Sequence, residues 1–264
     1  MDSKIIKLLF FFLLPINSYA TEFQGSFKQG SFILGKTEPG SVVFIDTRKV
    51  RVSKEGFFVF GLDRDRKFDV TISVTNSNSN KKIIKKVLKR KYKIQRIDGL
   101  DEKKVTPPEE VYSRIKKENN EIGKARSINS DLDFFKNKFI MPVDGIISRV
   151  YGSQRILNGK PKWPHYGIDI AAKQGTEIKA SGSGIVTMSE SDLYYTGGTI
   201  IMDHGHGIST IYSHLEKLMV KVGDKIEQGE IIGTVGSTGR STGPHLDFRV
   251  NWFQTRLDPM SIMN

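Results

Sequence analysis

Short runs in which polar and apolar residues alternate, separated by glycine, proline and asparagine, dominate this chain of 264 residues. A period of two places successive side chains on opposite faces of an extended strand, and the punctuation is turn chemistry. From Phe23 to about Leu100 the runs are Ser31–Leu34, Ser41–Ile45, Lys49–Val52, Phe57–Phe60, Phe68–Val74 and Ile83–Leu88. They are broken at Pro39-Gly40, Glu55-Gly56 and the polar tract Asn76–Asn80, a spacing that predicts a small β-sandwich of about seven strands. Lys81 to Lys93 predicts a basic edge strand, where lysine discourages pairing with other chains. Thr106-Pro107-Pro108-Glu109-Glu110 predicts a helix start, with a capping hydroxyl, proline and acidic residues in the first turn. The helix runs to about Arg126, and its narrow stripe of Val111, Ile115 and Ile122 makes it a linker lying on a neighbour. From Phe139 onward come glycine-bounded strands at Gly145–Val150, Tyr166–Ala171, Glu177–Ala180, Gly184–Met188, Gly198–Asp203, Ile208–Tyr212, Glu230–Val235 and His245–Asn251. The expected fold is therefore mainly β. A small β-sandwich (21–100) and a helical linker (101–135) precede a C-terminal domain (136–264) built on an antiparallel β-sheet.

Within that domain, Val220 to Val235 is expected to form a hairpin, and Lys173 to Val186 reads as a degenerate copy of it. Both resemble the barrel-sandwich hybrids of lipoyl and biotinyl carriers. Those carriers present a modifiable lysine at a hairpin tip, and no matching tip is found here, so the shape is expected without that function.

Composition changes the picture in three ways. Met1 to Ala20 reads as a secretory leader: Lys4 and Lys7, a short apolar core at Leu8–Leu14, then Ser18 and Ala20 before the cleavage point. The mature protein is then expected outside the cytoplasm, in the periplasm or cell envelope, with no stable membrane insertion after cleavage. The absence of cysteine excludes disulfides, thiolate metal sites and a cysteine nucleophile. The formal charge of +12 suits an anionic partner such as an acidic wall polymer, or a merely solvated surface. The basic–aromatic pattern of a nucleic-acid module is missing, so nucleic acid is not an expected partner.

The candidate chemistry centres on Gly236 to Trp252. A loop of small residues runs up to Pro244, and alternation then places His245 and Asp247 on one strand face. All 5 histidines, at 165, 204, 206, 214 and 245, lie in the second half of the chain. His165 and Asp169 share a face if their segment is extended, though a turn at Gly167 would alter this. His214 ends a strand in Tyr212-Ser213-His214-Leu215. Together His165, Asp169, His214, His245 and Asp247 suit metal-assisted hydrolysis, in which three protein ligands leave a position open and nearby histidines move protons. Asp203-His204-Gly205-His206 is a rival cluster, but its glycines make it read as a strand end and turn. Arg155 and Arg240 are either contacts for an acidic substrate or ordinary surface arginines.

Four separated motifs now carry a resemblance. His165-x-x-x-Asp169, Tyr212-Ser213-His214-Leu215, the Val222-Gly223-Asp224…Gly229…Ile232-Gly233 segment, and Gly236-x-x-Gly239…Thr242-Gly243-Pro244-His245 occur in the order seen in lysostaphin-type, LytM-like zinc endopeptidases of peptidoglycan. The likeness covers about Phe139 to Trp252. It implies a zinc (Zn2+) metalloendopeptidase that cuts stem or cross-bridge peptides, with His165 and Asp169 as zinc ligands and His214 and His245 as the catalytic pair. One departure stands out. The family's last motif is His-x-His, with the second histidine the third ligand, and this chain has Asp247 there. A carboxylate can ligate zinc, but two carboxylates with one imidazole cancel the ion's charge. A weaker Lewis acid and room for a harder metal are expected; the other reading of Asp247 is a salt bridge to Arg249 or Arg155. The departure also admits an alternative function, a non-catalytic LytM-like regulator partnered with another cell-wall hydrolase.

Overall fold

The computed structural model describes residues 20–99 and 106–263. The leader expected at Met1–Ala20 lies outside the described residues, apart from Ala20. None of the described helices is long and apolar enough to cross a membrane.

The chain is mainly β, as its alternation predicts. First come β1 (Glu22–Gln24), β2 (Phe32–Lys36), β3 (Val42–Ile45), β4 (Arg48–Val50), β5 (Phe57–Gly61), β6 (Val70–Thr75) and β7 (Asn80–Lys85). They form two antiparallel sheets, ordered β1-β2-β5 and β4-β3-β6-β7. Alternation decides which side chains go in: along β6, Val70, Ile72 and Val74 are buried while Thr71 and Ser73 are only half-buried. Ile33, Phe58 and Phe60 of one sheet and Val43, Ile45 and Ile72 of the other belong to one apolar core. Each such burial contributes roughly 1.5–3 kcal/mol. β7 is the expected lysine-bearing edge, but it stops at Lys85 rather than Lys93. There the chain crosses to the other sheet, with Leu88 N–H donating to Phe27 O at 2.8 Å and Gln29 N–H to Leu88 O at 3.0 Å.

β8 (Ile94–Ile97) then leaves the sandwich and later finds a parallel partner in the second half. After a 3-10 turn at Glu109–Val111 comes α1 (Tyr112–Arg126). It starts later than Thr106 suggests because Pro108 is extended (ψ 154°), so the first turn forms only beyond it. Ile122 and Ala125 of α1 pack on Met188, Leu193, Ile201 and Ile211.

The remaining strands are β9 (Ile146–Arg149), β10 (Gln154–Leu157), β11 (Lys160–Lys162), β12 (Ile168–Ala171), β13 (Glu177–Lys179) and β14 (Gly184–Leu193). They continue as β15 (Gly197–Gly205), β16 (Ile208–Leu218), β17 (Lys225–Ile226), β18 (Ile231–Val235), β19 (His245–Trp252) and β20 (Thr255–Leu257). The principal sheet runs β17-β14-β15-β16-β19-β12-β9, with β13, β18 and β20 paired onto it. β10 joins β11 and β8 in a small sheet of its own.

The segment Val220–Val235 is not a hairpin. β17 pairs with β14, and β18 pairs with β13 and β16, so the two similar segments exchange strands with each other. Ile232, Gly233, Thr234 and Val235 are all buried. A strand covered on both faces needs neighbours on both edges, and the two-residue β17 is too short to serve.

The two halves share one core. Leu257 and Trp252 lie close enough to Gly61 that a β-carbon there would come within 2.5 Å of Leu257 Cδ2. Arg64 donates twice to Gly152 O, at 2.9 and 2.7 Å, and Arg90 pairs with Asp258 at 2.5 Å. The sheet has two unlike faces. Leu246, Phe248 and Val250 of β19 go to the main core. The residues between them share the opposite face with Ile211, which is register-paired with Arg249 and lies under α1.

Candidate metal and catalytic site

That opposite face carries the site. β12 and β19 are antiparallel with Asp169 directly across from Asp247, and Ser213 of β16 lies across from Asp247 on the other side. Side chains opposed in this way are near neighbours, and two like charges so placed repel. Both aspartates are buried, at 1% and 4% exposure, so cations must compensate them. Arg249, two residues along β19, donates from Nε to Asp247 Oδ1 at 2.8 Å and from Nη2 to Oδ2 at 2.5 Å. Arg149 of β9 donates to Asp169 Oδ2 at 2.8 Å, and Arg155 of β10 lies 3.9 Å from the same oxygen.

His165 precedes β12 and is tied at both backbone ends: its N–H donates to Ser153 O at 2.9 Å, and its carbonyl accepts from Gly152 N–H at 2.7 Å. The expected extended face is not the cause of its meeting with Asp169, because β12 begins only at Ile168. A loop delivers it instead. Gly167 lets that loop pass over β19; a β-carbon there would lie 2.5 Å from Phe248 O. His165 Nε2 then comes to 3.0 Å from Asp169 Oδ1.

Those two atoms are buried and yet neither makes a hydrogen bond. Orphaned polar atoms of this kind are costly unless something else binds them. With an Asp247 oxygen they form a set of three ligand atoms, all within 4.8 Å of one another. A nitrogen and an oxygen aimed at common space, with a third carboxylate beside them, fit a zinc-sized cation. Asp247 keeps lone pairs for such a bond although Arg249 already engages both its oxygens. The salt bridge to Arg249 read as the alternative from the sequence is therefore present, and it does not remove Asp247 from the donor set.

His214 and His245 stand over this set with ring centroids 4.8 Å apart. Strict alternation along β16 would send His214 to the core side, away from Ser213. Its φ of 67° puts it in the left-handed region and turns the ring into the cleft. The Nδ1–H of His214 donates to Thr238 O at 2.8 Å, and that of His245 to Gly243 O at 2.8 Å. Backbone carbonyls accept only, so both rings carry a proton on Nδ1 and leave Nε2 for the cleft. His245 Nε2 lies 3.8 Å from Asp169 Oδ2.

Electrostatics sort these groups. Burial alone would raise Asp247, but the charge and hydrogen bonds of Arg249 hold it far below the usual carboxylate range. Burial likewise opposes ionisation of Asp169, and the His165 imidazole 3.0 Å away is the first influence that lowers it. Burial depresses His214, with the charge of Asp247 opposing it in part. His214 is thus a neutral imidazole at pH 7.

The site opens into a cleft of about 590 Å³ whose rim includes Pro107, Tyr194, Tyr195 and Arg240. The structure brings together His165, Asp169, His214, His245 and Asp247, the five residues expected from sequence. His204 and His206 go elsewhere: the His204 ring bridges Ser183 O and Thr210 Oγ1, each at 2.7 Å. Arg149 was missed, because the strand pattern that contained it gave no hint of its pairing partner. Tyr194-Tyr195, a double aromatic at a turn, was the available signal for the cleft wall.

The model of peptidase family M23 matches residues 163–259. A solved structure described as a putative peptidase M23 from Pseudomonas aeruginosa superposes with a TM-score of 0.71 at 28% identity, over 90% of this chain and 95% of that one. Among curated proteins, the DD-carboxypeptidase/endopeptidase Mpg of Neisseria meningitidis is 41% identical over 98 residues, 37% of this chain and 22% of Mpg. The peptidoglycan DD-endopeptidase ShyA of Vibrio cholerae is 42% identical over 87 residues, 33% of this chain and 20% of ShyA. The matched part thus spans about a fifth of each curated relative's length. In fold, in the order of its motifs and in these likenesses, the chain belongs to peptidase family M23 as a LytM-like member.

Proposed function

We propose that the protein is an exported zinc metalloendopeptidase that hydrolyses peptide bonds in the stem or cross-bridge peptides of peptidoglycan. One observation carries the reading. His165 Nε2 and Asp169 Oδ1 are buried without a hydrogen-bond partner, beside Asp247 and beneath two histidines that open on a cleft. Export rests on the leader read at Met1–Ala20, and the substrate on the likeness to relatives such as the peptidoglycan DD-endopeptidase ShyA.

His165, Asp169 and Asp247 would hold the metal, which when bound supplies a Lewis acid that polarises a peptide carbonyl and acidifies water. The chain's own groups do the rest. His214 is the proton acceptor: Thr238 O fixes its tautomer, burial keeps it neutral, and its bare Nε2 faces the cleft. The proton it takes then goes to the leaving amine. His245, oriented by Gly243 O, stands on the other side of the same space, and with a second proton on Nε2 it would donate to the carbonyl oxygen as charge develops there. Arg249 and Arg149 hold the two carboxylates in place and stop them repelling each other apart.

Incubating the purified mature protein, with zinc, on cell-wall sacculi should release muropeptides, and His214→Ala or His245→Ala should lower the rate by at least about 100-fold. Full zinc occupancy without release from any wall preparation would refute the reading. The paired His214 and His245 weigh against the alternative of a non-catalytic regulator, which would have no use for two oriented imidazoles.

A further inference from the structure

The cleft holds four arginines but only two carboxylates. Asp169 is met by Arg149 and Arg155, and Asp247 by Arg249. The fourth, Arg240, has no carboxylate in ion-pair range among the described residues. It is nonetheless held in place. Its backbone N–H donates to Tyr195 O at 3.0 Å, and its guanidinium lies over the Tyr195 ring at 4.3 Å. Gly239 before it has a φ of +65°, and a β-carbon there would meet Gly197 N at 2.4 Å. The loop carrying Arg240 is therefore packed against the turn that carries Tyr195, with no room to slide.

A guanidinium stacked on an aromatic ring keeps its in-plane N–H donors free, and those donors match a carboxylate in pairs. Stacking also removes much of the rotamer freedom that a binding arginine would otherwise lose. We infer that Arg240, braced by Tyr195, is a specificity-determining residue that binds a substrate carboxylate close to the scissile bond. The enzyme thereby selects anionic stem peptides over the same peptides with that carboxylate amidated. This rests on the peptidoglycan reading given above, since stem peptides carry carboxylates on their acidic and diamino residues.

The test uses a cross-linked stem-peptide dimer with its diamino-acid carboxylates free, and the same dimer with them amidated. The mature zinc-loaded protein should prefer the free dimer in kcat/KM by on the order of tenfold, through KM and less so at high salt. In Arg240→Gln that ratio should fall close to one, and Arg240→Lys should keep part of it, since lysine retains the charge without the paired donors. A ratio unchanged in Arg240→Gln, or a wild-type protein indifferent to amidation, would overturn the inference. If neither dimer is cleaved, it is the peptidase reading that fails. Calorimetric binding of the two intact dimers then decides the carboxylate question separately, with the same ratio and the same variants.

Discussion

Consider replacing Arg249 by methionine. The change keeps an unbranched apolar stem and removes the guanidinium that engages both oxygens of Asp247. Asp247 side chain is only 6% exposed and lies opposite another buried carboxylate, Asp169. Removing one partner of a buried ion pair costs about 3–5 kcal/mol. Arg155 and Arg149 remain nearby, so the lower figure is expected, about 3 kcal/mol in the absence of metal. A divalent cation would supply the missing positive charge. At a free concentration 100 times its dissociation constant, a ligand of the folded state adds about 2.7 kcal/mol of stability. Arg249→Met should therefore be rescued by zinc, and zinc should stabilise the variant more than the wild type, because no guanidinium competes for Asp247. Urea denaturation at pH 7, run in chelator and in zinc on both proteins, measures the four stabilities needed. A loss below about 1 kcal/mol in chelator would refute the argument from the buried pair. An equal loss with and without zinc would refute the claim that Asp247 faces the metal.

Two more expectations follow from the same geometry. Burial lowers His204 from an ordinary value of 6.5 to about 4, so the unfolded chain binds a proton between those pH values and the folded chain does not. The stability due to the neutral ring is complete above about 6.5 and is lost as pH falls toward 4, by about 3 kcal/mol in all. Urea midpoints for wild type and His204→Gln should converge with acidification, and parallel curves would show that His204 is not the group responsible. Gly167→Ala places a β-carbon 2.5 Å from Phe248 O and 3.0 Å from Asp247 Oδ1. It should weaken zinc binding by roughly 10–100-fold, measured by competition with a chelating dye, and an unchanged affinity would mean that the loop is free to shift.

The arrangement of buried charge also bears on the aspartate in place of the family's usual histidine. Two carboxylates and one imidazole would leave a bound zinc ion a weaker Lewis acid, and the surrounding arginines place positive charge beside those carboxylates. Arg249, on the same strand as Asp247, supplies the buried positive charge that a carboxylate at this position requires and a neutral imidazole would not.

Much of this was legible in the chain. Alternation of two along residues 245–252 fixes which side chains of that strand face the core, and so places His245, Asp247 and Arg249 together wherever the strand ends up. Glycine and proline mark the turns, and the four ordered motifs single out His165, Asp169, His214 and His245 as candidate site residues. All of this is local information, set by the geometry of consecutive residues. Three features were decided only by the tertiary structure. His214 faces the cleft because the surrounding strands hold it at a φ of 67°, against its place in the alternation. Val220–Val235 looks like a hairpin, yet its strands pair elsewhere because a doubly buried strand takes whichever edges the sheet offers. Arg149 becomes a partner of Asp169 because β9 happens to lie beside β12. Short-range pattern sets which face a residue shows, whereas register between strands far apart in sequence sets what it meets, and that register depends on the packing of the whole sheet.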